Sequence, residues 1–279
     1  MTDEAIAGWP AARRQGRGGQ AVYSELAILT VRSMFKLGLR QTQGLMRSIF
    51  GLLALDLAVP DYSTLSRRSK TLRVPAPRHC CAGPLHLLID STGLKLAGAG
   101  EWLVEKHGSS RRRSWRKLHL AFDRESGEIV AAELTQKEVD DGSQAVVMVG
   151  GIGPLASFTG DGAYDQDRVY QAIGEHHPDA AVIMPPRAGA VLSDTGKTAP
   201  AQRDRHIIAI ADHGRMKWQK DTGYNLRARA EAHIGRFKAV IGDSLRSRTA
   251  VSRDTEIAVA ANALNKMLGF ARPESVRIA

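Results

Sequence analysis

Residues 79–279 leave few ways to fold, because three short β-like runs come first and strand and helix patterns then alternate. The runs at 86–90, 117–123 and 128–134 are largely apolar and separated by glycine-containing turns, which predicts an antiparallel meander. A helical pattern at 142–149, a strand at 155–161, a helix at 166–176 and a strand at 180–185 follow, the last closed by Pro185-Pro186. The order βββαβαβ, with helix beyond it, predicts an α/β fold: a mixed sheet with flanking helices. Residues 187–222 hold only Ile207-Ile208-Ala209-Ile210 as an apolar centre and read as a loop insertion, while 258–268 reads as an Ala-rich helix packed on the sheet.

Three carboxylates stand where their neighbours predict burial or order. Asp90 follows Leu87-Leu88-Ile89, Asp161 lies in Thr159-Gly160-Asp161-Gly162, and Glu231 falls inside a helical stretch. A carboxylate that leaves water must be paired or must bind a metal. Asp90 and Asp161 are expected at the C-terminal ends of strands, where sheets expose ligand-binding groups. Two aspartates and a glutamate suit Mg²⁺, with Mn²⁺ as a substitute, because hard cations prefer oxygen ligands. Two such ions held about 3.5 to 4 Å apart serve both the attacking and the leaving oxygen of a phosphodiester. Asp165 and Asp167 compete with Asp161 but read as turn and cap residues ahead of Arg168-Val169-Tyr170. Asp123 reads as a turn acid, Asp140 and Asp141 as caps, and His176 and His177 as structural residues at a helix end.

A formal charge of +10 points to a polyanionic partner, for which double-stranded DNA is the first candidate; a merely basic enzyme is the alternative. Arg111, Arg112 and Arg113, with Arg116 and Lys117, form the densest basic cluster and are flanked by Trp102 and Trp115, a composition suited to phosphates and bases. A solvated turn explains the same residues. Cys80 and Cys81 are adjacent, which excludes an ordinary disulfide and a zinc spacing and fits a reducing compartment. No apolar run approaches about 18 residues, and Met1-Thr2-Asp3-Glu4 lacks a signal-peptide pattern, so a cytoplasmic protein without membrane contact is expected.

Ahead of the sheet, residues 1–20 carry Arg13, Arg14, Arg17 and several glycines and read as a flexible basic arm or a plain disordered terminus. Residues 21–78 are expected to form a helical DNA-binding domain. Helical periodicity runs from Tyr23 to Leu55, breaks at Val59-Pro60-Asp61, and resumes in a short helix capped by Asp61 or Ser63 that bears Arg67 and Arg68. Helix, tight turn and basic helix outline a helix-turn-helix, although short helices with basic outer faces are common. The proline-rich stretch Val74-Pro75-Ala76-Pro77-Arg78 reads as a linker into the domain at 79–279.

Helical geometry tests the segment around Glu231. At about 100° per residue, counted from Tyr224, Arg227, Glu231 and Lys238 fall near about 300°, 340° and 320°, on one stripe. Leu226, Ala230, Ile234, Phe237 and Ile241 form the neighbouring apolar stripe, so the polar set flanks the buried face, as a site would. The bland alternative is that Arg227 and Glu231 form an i, i+4 ion pair worth about 0.2 to 0.5 kcal/mol.

The spacing Tyr224-x2-Arg227-x3-Glu231-x6-Lys238 resembles the signature of DDE transposases of the insertion-sequence 4 and 5 groups. The resemblance extends to Ile89-Asp90-Ser91-Thr92-Gly93-Leu94-Lys95, Trp115-Arg116-Lys117-Leu118-His119-Leu120, Asp161-Gly162-Ala163-Tyr164-Asp165 and Pro185-Pro186-Arg187, and is most similar to the 903-like subgroup of the insertion-sequence 5 family. It implies a ribonuclease-H-like catalytic fold and a bacterial, nucleoid-associated protein acting as a dimer or higher oligomer. It also implies that Asp90, Asp161 and Glu231 are the catalytic, metal-binding triad, holding two Mg²⁺ ions with no small-molecule cofactor. Tyr224, Arg227 and Lys238 would contact the DNA backbone near the cleaved end. The implied activity is cleavage at the element's terminal inverted repeats to release a 3′-hydroxyl, then transfer of that strand end to target DNA. The stretch between Trp9 and Tyr23 is shorter than in similar proteins. That keeps a truncated, non-catalytic DNA-binding regulator as an alternative, beside a ribonuclease-H-like nuclease that cuts without joining.

Overall fold

The computed structural model describes residues 3–13, 15, 19–33, 37–74, 83–96 and 115–270. After a helical turn α1 (Asp3–Ala7) come three helices, α2 (Glu25–Arg32), α3 (Leu39–Leu52) and α4 (Tyr62–Arg68). Ser24 and Asp61 cap α2 and α4 by accepting the amides of Ala27 and Ser63. Ala27, Ile28, Val31, Met46, Phe50 and Leu65 pack together beneath these helices, and Val259 joins them from the C-terminal helix.

The basic arm expected at residues 1–20 is tied down at its ends. Trp9 is buried, sets its ring edge-on to Phe50 and donates its indole N–H to Ala58 O (2.8 Å), while Pro10 bridges Tyr23. An aromatic ring of this size repays the ordering of the segment that carries it, a signal that the surrounding arginines and glycines concealed. The tight turn expected before the basic helix is instead an extended connection over residues 53–61, so the helix-turn-helix outline is met only loosely.

The sheet contains β1 (Leu85–Leu96), β2 (Trp115–Asp123), β3 (Ile129–Gln136), β4 (Leu155–Thr159) and β5 (Ala181–Ile183) in the order β3-β2-β1-β4-β5. The first three strands are antiparallel, and β4 and β5 add in parallel. Helices α5 (Asp141–Val149) and α6 (Asp167–His176) provide the crossovers. This is the mixed, ribonuclease-H-like sheet that the element order predicted. Both faces are covered, which is why Leu87-Leu88-Ile89 is continuously apolar. Leu87 and Ile89 face Ala145, Met148 and Ile173 of the crossover helices. Leu88, Leu94, Leu118, Leu120 and Phe122 face the helices that follow residue 227.

One expectation is corrected in β1. Asp90 is not at the strand's end: β1 continues to Leu96, because β2 pairs with it from Leu87 to Lys95 and Leu94 is buried despite the polar Ser91-Thr92-Gly93 before it. The other edge of β1 does change at the expected place. There β4 holds Leu85 to Leu88, and a short parallel strand β6 (Ser244–Leu245) holds Lys95 and Leu96. Among the described residues, the span between them is open on that edge. Residues 187–222, expected as a loop insertion, carry α7 (Gln202–His213) and α8 (Arg215–Asp221). Their apolar residues are few because the anchors are polar: Gln202 exchanges hydrogen bonds with Val182 N and Ala180 O, and Asp204 accepts from Ser193. A 3₁₀ turn (Tyr224–Arg227) leads into α9 (Ala228–Val240), and α10 (Ala250–Phe270) closes the chain as described.

Candidate active site

The last β1–β4 pair is Leu88 with Thr159, and Asp90 and Asp161 each lie two residues beyond it on their own chains. Alternation along β1 turns Asp90 to the face of Leu88 and Leu94, the face covered by α9. Asp161 is fixed by a turn in which its Oδ1 accepts the Ala163 amide (2.8 Å). The 3₁₀ turn and α9 supply the third side. Arg227 Nη2 stands 3.2 Å from Asp90 Oδ2 and 3.5 Å from Asp161 Oδ2, and Nη1 donates to Glu231 Oε1 at 2.8 Å. One guanidinium therefore gathers all three carboxylates, contributed by a strand, a loop and a helix far apart in sequence.

Exposure is graded across the group. The Asp90 side chain is 14% exposed, Asp161 38% and Glu231 66%, so the site opens to solvent on the α9 side. Burial raises Asp90 above the usual carboxylate range; Arg227 and the Ser91 amide oppose this, while Asp161 and Glu231 add repulsion. Burial also works against the charge of Arg227, yet Asp90, Tyr224, Asp161 and Glu231 hold it firmly protonated. Its Nε is buried without a hydrogen-bond partner. Among the described residues, no three acidic, histidine or cysteine side chains stand together as a ready-made metal cage. The donor set nevertheless fits a hard cation. It is all carboxylate oxygen, partly desolvated and mutually repelling, and the position between the oxygens is already one that a positive charge occupies.

The other sequence candidates separate. Tyr224 lies beside the carboxylates, its ring 5.2 Å from that of Trp218, whose buried indole donates to His206 Nδ1 (3.0 Å). Trp218 is thus a packing residue that sets the Tyr224 ring. Lys238 is in the last turn of α9, close enough to influence Asp243, and seven residues on from Glu231, about 10 Å along the helix. Tyr224 starts a 3₁₀ turn rather than the α-helix used to place it on the stripe, while Arg227 and Glu231 keep their i, i+4 contact.

Arg116 and Lys117 do not share a surface. Arg116 faces Asp254 of α10, whereas Lys117 turns to the opposite face, donating to Val139 O (2.8 Å) and standing 3.3 Å from Asp141 Oδ1. Alternation along a strand requires this split of neighbouring residues. Arg111, Arg112 and Arg113 lie outside the described residues. Arg67 is exposed on α4, and Arg68 reaches Tyr23 O (3.4 Å). Asp165, expected as a turn or cap residue, is fully buried and paired with Arg203 (Nε to Oδ1, 2.9 Å), while Gln166 takes the N-cap position.

A second polar cluster lies on the opposite face of the sheet. His119 is buried, with Nε2 2.9 Å from Thr135 Oγ1 and Nδ1 3.5 Å from Asp141 Oδ1; the buried Tyr164 hydroxyl has no hydrogen-bond partner. Sequence reading missed it, since Asp141 looked like a second cap beside Asp140; a histidine within an apolar strand was the available signal. Burial, reinforced by Lys117 and opposed by Asp141, lowers the imidazole to about 4 from an ordinary 6.5. The unfolded chain therefore binds the extra proton between those values, so this contribution to stability is complete above pH 6.5 and lost as pH falls through about 4. Acidification across that window should destabilise the wild type more than His119→Asn. Equal slopes of unfolding free energy against pH in the two proteins would contradict the buried, neutral assignment.

A mixed sheet with carboxylates gathered where its central ladder ends is the ribonuclease-H-like class of architecture. Family models described as "Transposase DDE domain" match residues 1–99 and residues 82–266. The second spans more than half of the chain, which belongs to the DDE-domain transposase family. Among solved structures, the chain is similar to "Cryo-EM structure of piggyBac transposase synaptic complex with hairpin DNA". The TM-score is 0.43 and the identity 10%, covering 98% of this chain and 75% of that one. No helix among the described residues is long and apolar enough to cross a membrane.

Proposed function

We propose that the chain is a transposase of the insertion-sequence 5 family, 903-like subgroup, that binds the terminal inverted repeats of its own element and cuts and joins DNA strands at the carboxylate site. The observation that carries this reading is the convergence of Asp90, Asp161 and Glu231 on Arg227. Asp90, Asp161 and Glu231 would hold the metal, two Mg²⁺ ions or Mn²⁺ in their place. Such ions supply Lewis-acid assistance to both the attacking and the leaving oxygen of a phosphodiester.

In the first step a water oxygen bonds to phosphorus, the P–O3′ bond breaks, and the departing 3′-oxygen takes up a proton. In the second that 3′-hydroxyl bonds to phosphorus in target DNA, loses its proton, and displaces the target's own 3′-oxygen. Asp90 is held by a central strand and Asp161 by its turn, so the reacting phosphate meets carboxylates that need little reorganisation. Glu231, the most exposed of the three, closes the site from α9. Arg227 offsets the charge of the three acids and, with Tyr224 and Lys238, contacts the backbone of the cleaved end. Residues 21–78 form the end-binding domain, with Arg67 and Arg68 at its surface, and synapsis of two ends calls for a dimer or larger assembly.

Arg227→Ala and Lys238→Ala should each weaken binding to the element's end and lower the slope of log affinity against log salt by about one unit per lost phosphate contact. Titrations at several salt concentrations measure this, and unchanged slopes would make both residues structural. The neutralisation of the carboxylates by Arg227 also favours a second reading, a DNA-binding regulator that does not cut.

A further inference from the structure

A cleft of about 540 Å³ lies between the N-terminal helices and the segment joining β6 to α10, away from the carboxylates. Its walls carry Arg32, Lys70, Arg246 and Arg248, contributed by two stretches of chain remote in sequence. Lys70, Arg246 and Arg248 are exposed, whereas Arg32 is half-buried and its Nε is fully enclosed without a hydrogen-bond partner. Glu256 is the acid on the lining, and it is already engaged: Oε1 accepts the Arg246 amide (3.0 Å) and Oε2 the Ser247 amide (2.9 Å). Those bonds fix the loop that presents both arginines. Arg253 braces the same loop by donating to Ser247 O (2.9 Å).

An enclosed guanidinium facing other cations is costly unless an anion completes it. Cations on both walls of an open cleft suit a polyanion that passes along it, with repeated charges, better than one small ion. We propose that this cleft binds the phosphodiester backbone of double-stranded DNA, clamping the duplex between the N-terminal helices and the β6–α10 loop. The proposal rests on the DNA-binding reading above and adds to it a second contact region that Arg227 and Lys238 do not supply. Phosphate contacts carry no sequence information directly, so the cleft strengthens binding to element ends and to unrelated duplexes alike.

The test uses the full chain and two variants, Arg32→Met and the double variant Arg246→Gln/Arg248→Gln. Binding is followed by fluorescence anisotropy on an element-end duplex and a scrambled duplex of equal length, across a salt series. The double variant alters exposed side chains and should melt as the wild type does. Arg32→Met replaces an unpartnered buried charge with an apolar chain of similar length and should melt at the same or a higher temperature. Each variant should lose affinity on both duplexes by about the same factor, with the salt slope reduced by about one unit per contact removed. Unchanged slopes in the double variant, with the wild type binding normally, would overturn the cleft and leave the DNA-binding reading standing. Slopes unchanged on DNA together with lost thermal stabilisation by inorganic phosphate would assign the cleft to a small anion and also overturn the proposal. Absence of salt-dependent DNA binding by the wild type would remove both readings.

Discussion

Alanine in place of Glu231 should leave a folded protein that binds the element's ends and no longer cuts them. The side chain is two-thirds exposed, and its hydrogen bond is to Arg227 across one helical turn. Such a pair contributes about 0.5 kcal/mol or less to stability, so the melting temperature should scarcely move. Its place in the carboxylate group is another matter. A group that stabilises charge developing in the transition state contributes several kcal/mol, and each 1.4 kcal/mol or so is a factor of ten in rate. Cleavage should therefore fall about a thousand-fold or more. Parallel measurements of unfolding, end binding and strand cleavage separate these effects. Equal loss of all three would make Glu231 a structural residue and sink the catalytic assignment.

The largest effect on stability should come from Arg203→Ala. Asp165 has no exposed side-chain surface, and it is held by Arg203 Nε (2.9 Å), Arg203 Nη2 (3.2 Å) and the Arg187 amide (3.0 Å). Removing Arg203 leaves a buried carboxylate with one backbone donor, a loss of about 3 to 5 kcal/mol. Denaturant unfolding measures it directly. The damage should reach the site, since Arg187 also donates to Gly162 O (3.0 Å) and Ala163 O (2.9 Å) in the Asp161 turn. Replacing both partners, Arg203→Met with Asp165→Leu, should restore much of the stability, because no charge is then stranded. A loss below about 1 kcal/mol in Arg203→Ala would mean that Asp165 is free to act as a ligand, as Asp161 is proposed to do.

Much of this architecture was legible because the sheet's core is local in pattern. The runs around Leu88, Leu118 and Leu155 alternate or cluster as strands must, and glycines and prolines mark their ends. What escaped reading depended on partners remote in sequence. Ser91-Thr92-Gly93 looks like a strand end, and only pairing with His119, Leu118 and Lys117 of β2 carries β1 through it. Helices α7 and α8 lack an apolar stripe because Gln202 and Asp204 anchor them through hydrogen bonds. Trp9 gave no sign that it packs on Phe50 and reaches Ala58. At the site, spacing on one helix brought Arg227 and Glu231 together, and strand ends brought Asp90 and Asp161 forward. That one guanidinium would span all three acids could not be read, because it depends on how α9 lies across the sheet.

The most direct test of the proposed transposase is a strand-cleavage and strand-joining reaction on DNA carrying the sequences that flank this gene, with Mg²⁺ or Mn²⁺ and with chelator as control. The expected result is cleaved ends with free 3′-hydroxyls, followed by products joined to target DNA, all dependent on the divalent ion and absent in Glu231→Ala. Cleavage without joined products would make the protein a nuclease. Tight end binding with neither product would make it a regulator that does not cut, and either result contradicts the proposal.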